Sequence, residues 1–213
     1  MPPLTDLLSP FLVKPLSTDQ TKQVVTYLDL LLKWNAKISL TSLRTPEEIV
    51  QRHFGESFFA AERAGVADAS SLIDVGSGAG FPGLPMAILA PNVLVTLIES
   101  QQKKVAFLRE VVRALELRNV SVYAGRAEDS KLKSQIVTMR AVEKFETVLP
   151  IAASLVQADG TLALLIGACQ ADSARTATAT FFWLDPIAIP KSRERILIMG
   201  NRGHEPADFE SLG

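Results

Sequence analysis

The chain of 213 residues has little cysteine and little histidine, and this limits its chemistry. Its single cysteine, Cys169, excludes an internal disulfide framework and a multi-cysteine metal site. We expect Cys169 to be a small buried residue near a strand end, because no histidine stands beside it to activate the thiol. With His53 and His204 as the only histidines, the sequence predicts no metal site.

Long apolar runs are also lacking, although 47% of the residues are apolar. No run approaches the ~20 residues that span a bilayer. The first six residues lack the basic segment and apolar core of a secretory signal. We therefore expect a cytoplasmic protein without membrane contact. Its length suits one compact domain with a small extension, and we expect a monomer.

The net charge of −1 conceals an uneven distribution of charged residues. Residues 101–144 hold ten Lys or Arg against five Asp or Glu, and residues 190–202 hold four against one. Local basic surface matters more than the overall charge for phosphate binding, so RNA stays open as a partner. Charge alone slightly favours a solvated basic helix face over an RNA-binding surface.

Two helix-start signals precede residue 70. The first is a capping box at Ser17–Gln20, followed by apolar residues at helical spacing to about Asn35. The second has a capping threonine, Thr45, with proline at the first helical position, and predicts a helix to about Arg63. Residues 1–68 are therefore predicted to form a helical extension.

From residue 71 onward, short apolar strands alternate with helices, which predicts a Rossmann-like α/β fold with a seven-stranded, mostly parallel sheet. The last two strands have no helix between them and are expected to pair antiparallel at one edge. Strands are predicted near 71–75, 93–98, 119–124, 135–139, 161–166, 181–189 and 194–200, and helices near 83–90, 101–116, 144–157 and 169–180. The domain is expected to span residues 69–202, with a flexible tail over 203–213.

The most informative segment is the turn after the first predicted strand, where glycines stand at 76, 78 and 80. Gly76, Gly78 and Gly80 remove side chains that would keep a ligand off the backbone, and the following helix offers unpaired N–H groups. Glu99 ends the next strand, where its carboxylate is placed to accept hydrogen bonds from a ribose diol. Together these residues predict a nucleoside-cofactor site.

Two cofactor classes fit this turn. Residues 78–83 match the G-x-G-x-x-G fingerprint of dinucleotide-binding enzymes, which leaves a nicotinamide or flavin oxidoreductase open. However, Gly76 and Ser77 separate the strand from that pattern, and the acid Asp74 stands where a strand interior is usually apolar. Asp74 can face an ammonium group or a water molecule. The D-x-G-x-G form resembles the motif of S-adenosylmethionine (SAM) methyltransferases.

Further motifs narrow the resemblance to one family. Over about residues 20–202 the chain resembles the bacterial small-subunit ribosomal RNA guanine-N7-methyltransferases called RsmG or glucose-inhibited division protein B. The segments that carry the resemblance are Lys33-Trp34-Asn35, Ile38-Ser39-Leu40-Thr41, Arg52-His53-Phe54-Gly55-Glu56-Ser57, the glycine turn 73–83, Lys104-Val105-Ala106-Phe107-Leu108-Arg109, Gly125-Arg126-Ala127-Glu128 and Arg140-Ala141.

The resemblance implies a class I SAM-dependent methyltransferase fold, with SAM as the cofactor and small-subunit (16S) ribosomal RNA or the 30S subunit as the partner. It implies SAM contacts from Gly76, Phe81, Ala127, Glu128 and Arg140. An ion pair that closes a loop is the structural alternative for Arg140.

Three residues are assigned to the RNA. Arg52 is a candidate because a guanidinium matches phosphate oxygens, and His53 and Arg126 lie in the family motifs. His53 is also explained as a hydrogen-bonded structural residue. We expect Trp34 to anchor the extension to the main domain.

The chain departs from the family pattern where Leu165-Ile166-Gly167 replaces a usual Leu-Lys-Gly at the end of the fifth strand, and where glutamate replaces aspartate at 56 and 99. A cationic contact is therefore missing or supplied elsewhere, which leaves a non-catalytic ribosome-binding module open. If position 166 faces the RNA, Ile166→Lys should preserve or raise RNA affinity.

The implied product, 7-methylguanosine, requires no general base, because guanine N7 carries an in-plane lone pair and no proton. We accordingly predict no catalytic residue. The Pro-Cys setting of cytosine-C5 enzymes and the Asn/Asp-Pro-Pro-aromatic segment of exocyclic-amine enzymes are both absent, which is consistent with methylation of a ring nitrogen.

Overall fold

One twisted sheet covered by helices on both faces forms the main body of the protein. The structure is a computed structural model that describes residues 2–142 and 144–203. Its strands are β1 (Ser71–Val75), β2 (Leu94–Glu99), β3 (Val120–Ala124), β4 (Ser134–Arg140), β5 (Val156–Gly167), β6 (Phe181–Trp183), β7 (Ile187–Ala188) and β8 (Arg195–Arg202). Its α-helices are α1 (Leu4–Leu8), α2 (Thr18–Asn35), α3 (Pro46–Ile49), α4 (Glu56–Arg63), α5 (Gly83–Leu89), α6 (Gln102–Ala114), α7 (Phe145–Leu155) and α8 (Ala171–Ala177).

The strand order is β3-β2-β1-β4-β5-β8-β6, with β7 also paired to β8. Strands β1 to β5 run parallel, and β8 pairs antiparallel with β5, as predicted for the last strand. The chain order reverses between β1 and β4, so the crevice where open α/β sheets bind ligands lies at the carboxyl ends of these two strands.

Each face of the sheet carries its own apolar cluster, because successive strand residues point to opposite faces. Leu72 and Leu97 face the extension, α5 and α6, whereas Ile73 and Val75 face α7 and α8. The N-terminal extension therefore packs on the same face as the helices that follow the glycine turn.

The long helix α2 begins as predicted, with a capping box in which the Ser17 hydroxyl accepts from the Gln20 amide. It ends at Asn35. Trp34 donates from Nε1 to Oε2 of Glu110 over 3.1 Å and meets the ring of Phe107 edge to face. Trp34 thus joins α2 to α6, which confirms its predicted role as an anchor.

The second predicted helix is interrupted. A π-helical turn over Val50–Gly55 separates α3 from α4. At its end, a Cβ on Gly55 would lie 2.5 Å from Cδ2 of Phe11, so glycine leaves room for a ring from the chain's start. The sequence reasoning missed the elements that deliver this ring, α1 and the 3-10 turn Ser9–Phe11.

The segment 181–189, predicted as one strand, forms two. Pro186 lies between β6 and β7, and proline cannot donate to a strand ladder. The described sheet therefore has eight strands, and β8 lies between β5 and β6 instead of at the edge. The fifth strand also starts earlier than predicted, at Val156, directly after α7.

One further expectation is wrong. Cys169 is exposed instead of buried, because it lies in the short 3-10 turn that follows β5. Ile166 is only 4% exposed and belongs to the apolar cluster beneath α7 and α8. The predicted flexible tail lies outside the described residues from 204 onward. Among the described helices, none is both long and apolar enough to cross a membrane.

Candidate functional site

Three adjoining cavities lie along the carboxyl ends of the parallel strands. The glycine-turn cavity, about 360 Å³, is lined by residues 76–79, Phe81, Glu99 and Arg140 among others. The β3-side cavity, about 200 Å³, shares Gly76 and Glu99 with it and extends to residues 125–128. The β8-side cavity, about 280 Å³, shares His53, Arg140 and Ala141 with the glycine-turn cavity. The three form one row, with the glycine turn in the middle.

The carboxylate of Glu99 holds the two segments on either side of the central cavity. Its Oε2 accepts from the Gly78 amide at 2.9 Å, and its Oε1 accepts from the Gln101 amide at 2.8 Å. Each carboxylate oxygen keeps a second lone pair for a ligand hydroxyl. Gly78 has φ +56°, and no atom except a backbone oxygen at 3.8 Å would meet a Cβ there, so the turn is open on this side.

Gly80 differs from the other glycines of the turn. It has φ +91°, and a Cβ there would lie 2.5 Å from the Tyr27 hydroxyl. It is absent from the lining of these three cavities and packs against Leu84 of α5, Leu108 of α6 and Tyr27 of the extension.

Asp74 lies beneath the turn and does not line these cavities either. Its side chain is fully buried, its Oδ2 accepts from the Gly83 amide at 3.2 Å, and its Oδ1 has no partner. Burial raises the pKa of Asp74 to about 7, although the nearby Ser77 hydroxyl and the hydrogen bond from the Gly83 amide act to lower it. Through its hydrogen bond to the Gly83 amide, the Asp74 carboxyl helps to fix the conformation of the glycine turn.

His53, from the extension, and Phe81, from the glycine turn, form one wall of the glycine-turn cavity. The two rings stack with centroids 4.6 Å apart, and His53 Nε2 lies 2.7 Å from the Thr41 hydroxyl. Burial, together with the positive charges of Arg140 and Arg52, lowers the pKa of His53 to about 2, so the imidazole is neutral. His53 therefore makes the hydrogen bond expected of a structural residue. It also lines two of the cavities, where it could contact a ligand.

Arg140 forms the wall between the glycine-turn and β8-side cavities. It bonds Glu56 at 3.0 Å and also donates to the Arg52 carbonyl, while Arg195 bonds the other oxygen of Glu56. Desolvation lowers the pKa of Arg140 to about 10, which leaves it charged at neutral pH. Burial raises the pKa of Glu56 despite both arginines. Arg140 therefore makes the ion pair considered as its structural alternative and lines the cavities as well.

The residues after β3 lie at the other end of the row. Ala127 and Glu128 line the β3-side cavity, together with Arg126, which forms an exposed ion pair with Glu128 at 3.3 Å. Arg126 is thus separated from Arg52 and His53, which line the β8-side cavity. The structure does not bring the three predicted RNA contacts together.

Sequence reasoning missed several lining residues. Lys104 and Val142 line the glycine-turn cavity, and Arg195 and Gln170 line the β8-side cavity. Lys104 stood within a recognised motif, but Arg195 enters from the antiparallel strand β8, and its position depends on a pairing that no local pattern encodes. Within residues 2–142 and 144–203, no cluster of three His, Cys, Asp or Glu side chains could hold a metal ion.

Comparison with known proteins gives one consistent result. Residues 20–194 match the family model described as GidB, rRNA small subunit methyltransferase G. The chain is 40% identical over 158 residues to the Ribosomal RNA small subunit methyltransferase G of Clostridium beijerinckii, covering 71% of this chain and 66% of that protein. It is 39% identical over 193 residues to the protein of the same name from Roseiflexus sp., covering 84% and 82%.

A solved structure with a similar fold is that of M. jannaschii TYW2 in complex with AdoMet. It superimposes with a TM-score of 0.57 at 16% identity, covering 78% of each chain. At this identity the likeness concerns the fold alone, which is the class I methyltransferase arrangement of a mostly parallel sheet with an antiparallel strand.

Proposed function

Because the chain belongs to the rRNA small subunit methyltransferase G family, we propose that it transfers a methyl group from SAM to N7 of a guanine in small-subunit ribosomal RNA. The family and its named relatives favour this reading over an oxidoreductase or a non-catalytic ribosome-binding module. We further propose that it acts as a monomer in the cytoplasm.

The glycine turn and its neighbours fit SAM. Glu99 would accept from the ribose hydroxyls, and the backbone of Gly76 and Gly78 would border the amino-acid part of the ligand. Ala127 and Glu128 in the adjoining β3-side cavity would contact the adenine. When bound, SAM supplies an electrophilic methyl group on its sulfonium.

The observation that carries the proposal is the shared wall between the glycine-turn and β8-side cavities. His53, Arg140 and Ala141 border both, so a base in the β8-side cavity would lie next to a ligand on the glycine turn. Arg52 is exposed at this cavity and is placed to pair with a phosphate. Leu165 and Ile166 both line this cavity and provide apolar surface for a base.

The residues at this wall match a reaction that moves no proton. Guanine N7 presents a lone pair without hydrogen, and His53, whose pKa is lowered to about 2, is not an acidic imidazolium at physiological pH. Arg140 is charged at neutral pH and is oriented by its ion pair with Glu56. These residues would orient the base and exclude water, and such alignment can be worth up to ~7–11 kcal/mol.

The test is chemical cleavage of ribosomal RNA at 7-methylguanosine. N7 methylation makes the base sensitive to borohydride, and aniline then cleaves the RNA at that nucleotide. RNA from cells with the active protein should show one extra cleavage, and a Gly76→Val strain should lose it. Purified enzyme with labelled SAM should restore the cleavage on mutant 30S subunits or on their naked RNA, which identifies the substrate form.

Two results would contradict the proposal: label on cytosine or on an exocyclic amine, or identical cleavage in both strains. A matched strain with Gly65→Val controls for expression, since Gly65 has a positive φ of +61° but no neighbour within 4 Å of a Cβ. That strain should keep the extra cleavage.

A further inference from the structure

A tyrosine of the N-terminal extension reaches into the glycine turn. The Tyr27 hydroxyl, on α2, donates to the backbone carbonyl of Ala79. Tyr27 is completely buried. The absence of a side chain at Gly80 makes this approach possible, since a Cβ there would lie 2.5 Å from the hydroxyl oxygen.

The ring of Tyr27 continues the contact. It stacks on Phe81 with centroids 5.1 Å apart and planes 7° from parallel. Phe81 in turn stacks against His53, and Phe54 meets both Tyr27 and Phe81 edge to face. Phe81 and His53 line the glycine-turn cavity, whereas Tyr27 does not. Tyr27 therefore acts on the cavity only through the turn.

The hydroxyl serves as a permanent donor. Burial, and secondarily the nearby Asp74, raises the pKa of Tyr27 well above its ordinary value, so the proton stays on the oxygen. Removing the hydroxyl would leave the Ala79 carbonyl without this donor beneath the segment that borders ligand space. A turn with three positive-φ glycines has little stiffness of its own, and external contacts must fix its shape.

We propose that Tyr27 is a positioning residue for the cofactor: its hydrogen bond to Ala79 and its stack on Phe81 hold the glycine turn in the binding conformation. The N-terminal extension is thereby part of the cofactor site. This inference rests on the proposed function, because it assumes that the turn binds SAM.

The test is Tyr27→Phe, which keeps the ring stack and removes only the hydroxyl. Calorimetry with S-adenosylhomocysteine should show a dissociation constant raised about fivefold or more, as expected for one buried hydrogen bond. In methylation assays the KM for SAM should rise, while the KM for RNA and kcat at saturating SAM stay unchanged.

Trp34→Phe is the matched control. It removes one hydrogen bond between α2 and the main domain, from Trp34 to Glu110, and neither residue lines the glycine-turn cavity. It should lower the melting temperature by a similar amount and leave cofactor affinity unchanged. If both variants bind S-adenosylhomocysteine as the wild type does, Tyr27 only packs the core and the inference is overturned. If the wild type itself binds none, the proposed cofactor site fails instead.

Hydrogen exchange on the wild-type protein provides a test that needs no variant. Binding of S-adenosylhomocysteine should slow amide exchange in residues 76–81 and also in residues 24–31 around Tyr27. Protection confined to the turn would contradict a link between α2 and the cofactor, even if Tyr27→Phe fails to fold.

Discussion

Gly76, Gly78 and Gly80 share positive φ angles but face three different neighbours. Gly76 lies against Val142, which would be 3.2 Å from a Cβ, and Gly78 borders open space. Gly80 instead admits the hydroxyl of Tyr27. A motif that looks uniform in sequence thus combines ligand access with attachment to another helix, and substitutions at the three positions should fail for different reasons.

The first residue-scale prediction concerns Glu99. Glu99→Ala removes a charged acceptor for a ribose diol and the support of two backbone amides, so affinity for S-adenosylhomocysteine should fall by roughly 1.5–3 kcal/mol. Calorimetry measures this directly. Asp68→Ala removes an exposed acid near the amino end of β1 and should leave affinity unchanged. Unaltered binding in folded Glu99→Ala would refute its assignment to the cofactor.

The second concerns Asp74, whose raised pKa couples stability to pH. Between about pH 4 and 7 the unfolded carboxyl loses its proton while the folded one keeps it, so the folded state becomes less stable as pH rises. The shift to about 7 corresponds to at most about 4 kcal/mol. Asp74→Asn should remove this loss, so its stability relative to the wild type should increase from pH 4 to pH 7.

Urea denaturation across that pH range measures the effect. The exposed Asp68→Asn serves as the control and should follow the wild-type pH dependence. A constant difference between wild type and Asp74→Asn would mean that Asp74 is ionised in the folded protein at pH 4.

At the scale of elements, the end of β5 shows how strand geometry assigns neighbouring residues to different surroundings. Leu165 faces the cluster of the extension, whereas Ile166 faces α7 and α8. The cationic group near this strand end comes from β8, where Arg195 pairs with Gly167 and bonds Glu56. Although the chain lacks the lysine of the family pattern, Arg195 supplies a positive charge in the same region.

The expectation for Ile166→Lys concerned RNA affinity, and the burial of Ile166 adds a prediction for stability. A lysine at this position would replace apolar contacts with a poorly paired cation near Arg140 and Arg195, so the free energy of unfolding should fall by about 2–4 kcal/mol. Urea denaturation checks the value. Leu94→Lys, at a strand position that is 67% exposed, should change stability by less than about 0.5 kcal/mol. An equally small effect at 166 would show that the side chain reaches solvent.

At the scale of the whole molecule, the basic excess of residues 101–144 surrounds the cavity row only in part. Lys103 and Arg109 are exposed on α6, while Lys104 lines the glycine-turn cavity. Arg140 has a side chain only 9% exposed and forms an ion pair with Glu56. Charge counts along the chain therefore overstate the surface that is available to RNA phosphates.

The exposed part should still make RNA binding salt-dependent. On single-stranded segments the log–log slope is expected to be about −0.7 per phosphate contacted, and Lys103→Gln with Arg109→Gln should make it shallower. Affinity for S-adenosylhomocysteine should not change. Lys22→Gln, an exposed cation on α2, is the control and should keep the wild-type slope. Filter binding from low to high salt measures the slope, and a flat wild-type response would reject an electrostatic RNA surface.

The sequence by itself determined the features that depend on neighbours along the chain. The capping box at Ser17, the alternation of strands and helices after residue 71 and the glycine turn followed by Glu99 all lie within short windows whose backbone and burial preferences are local. The last strand was also correctly expected to be antiparallel, because no crossover helix precedes it.

Only the tertiary structure decided which distant residues share a surface. Tyr27 meets Ala79 and Arg195 meets Glu56 because α2 packs across the turn and β8 inserts beside β5. The π-helical turn at Val50–Gly55 likewise ends in contact with Phe11, which comes from a short helical segment with no marked periodicity of its own. Such contacts arise from packing between elements far apart in sequence. Local periodicity indicates which face of α2 is buried, but not which residues of the main domain that face meets.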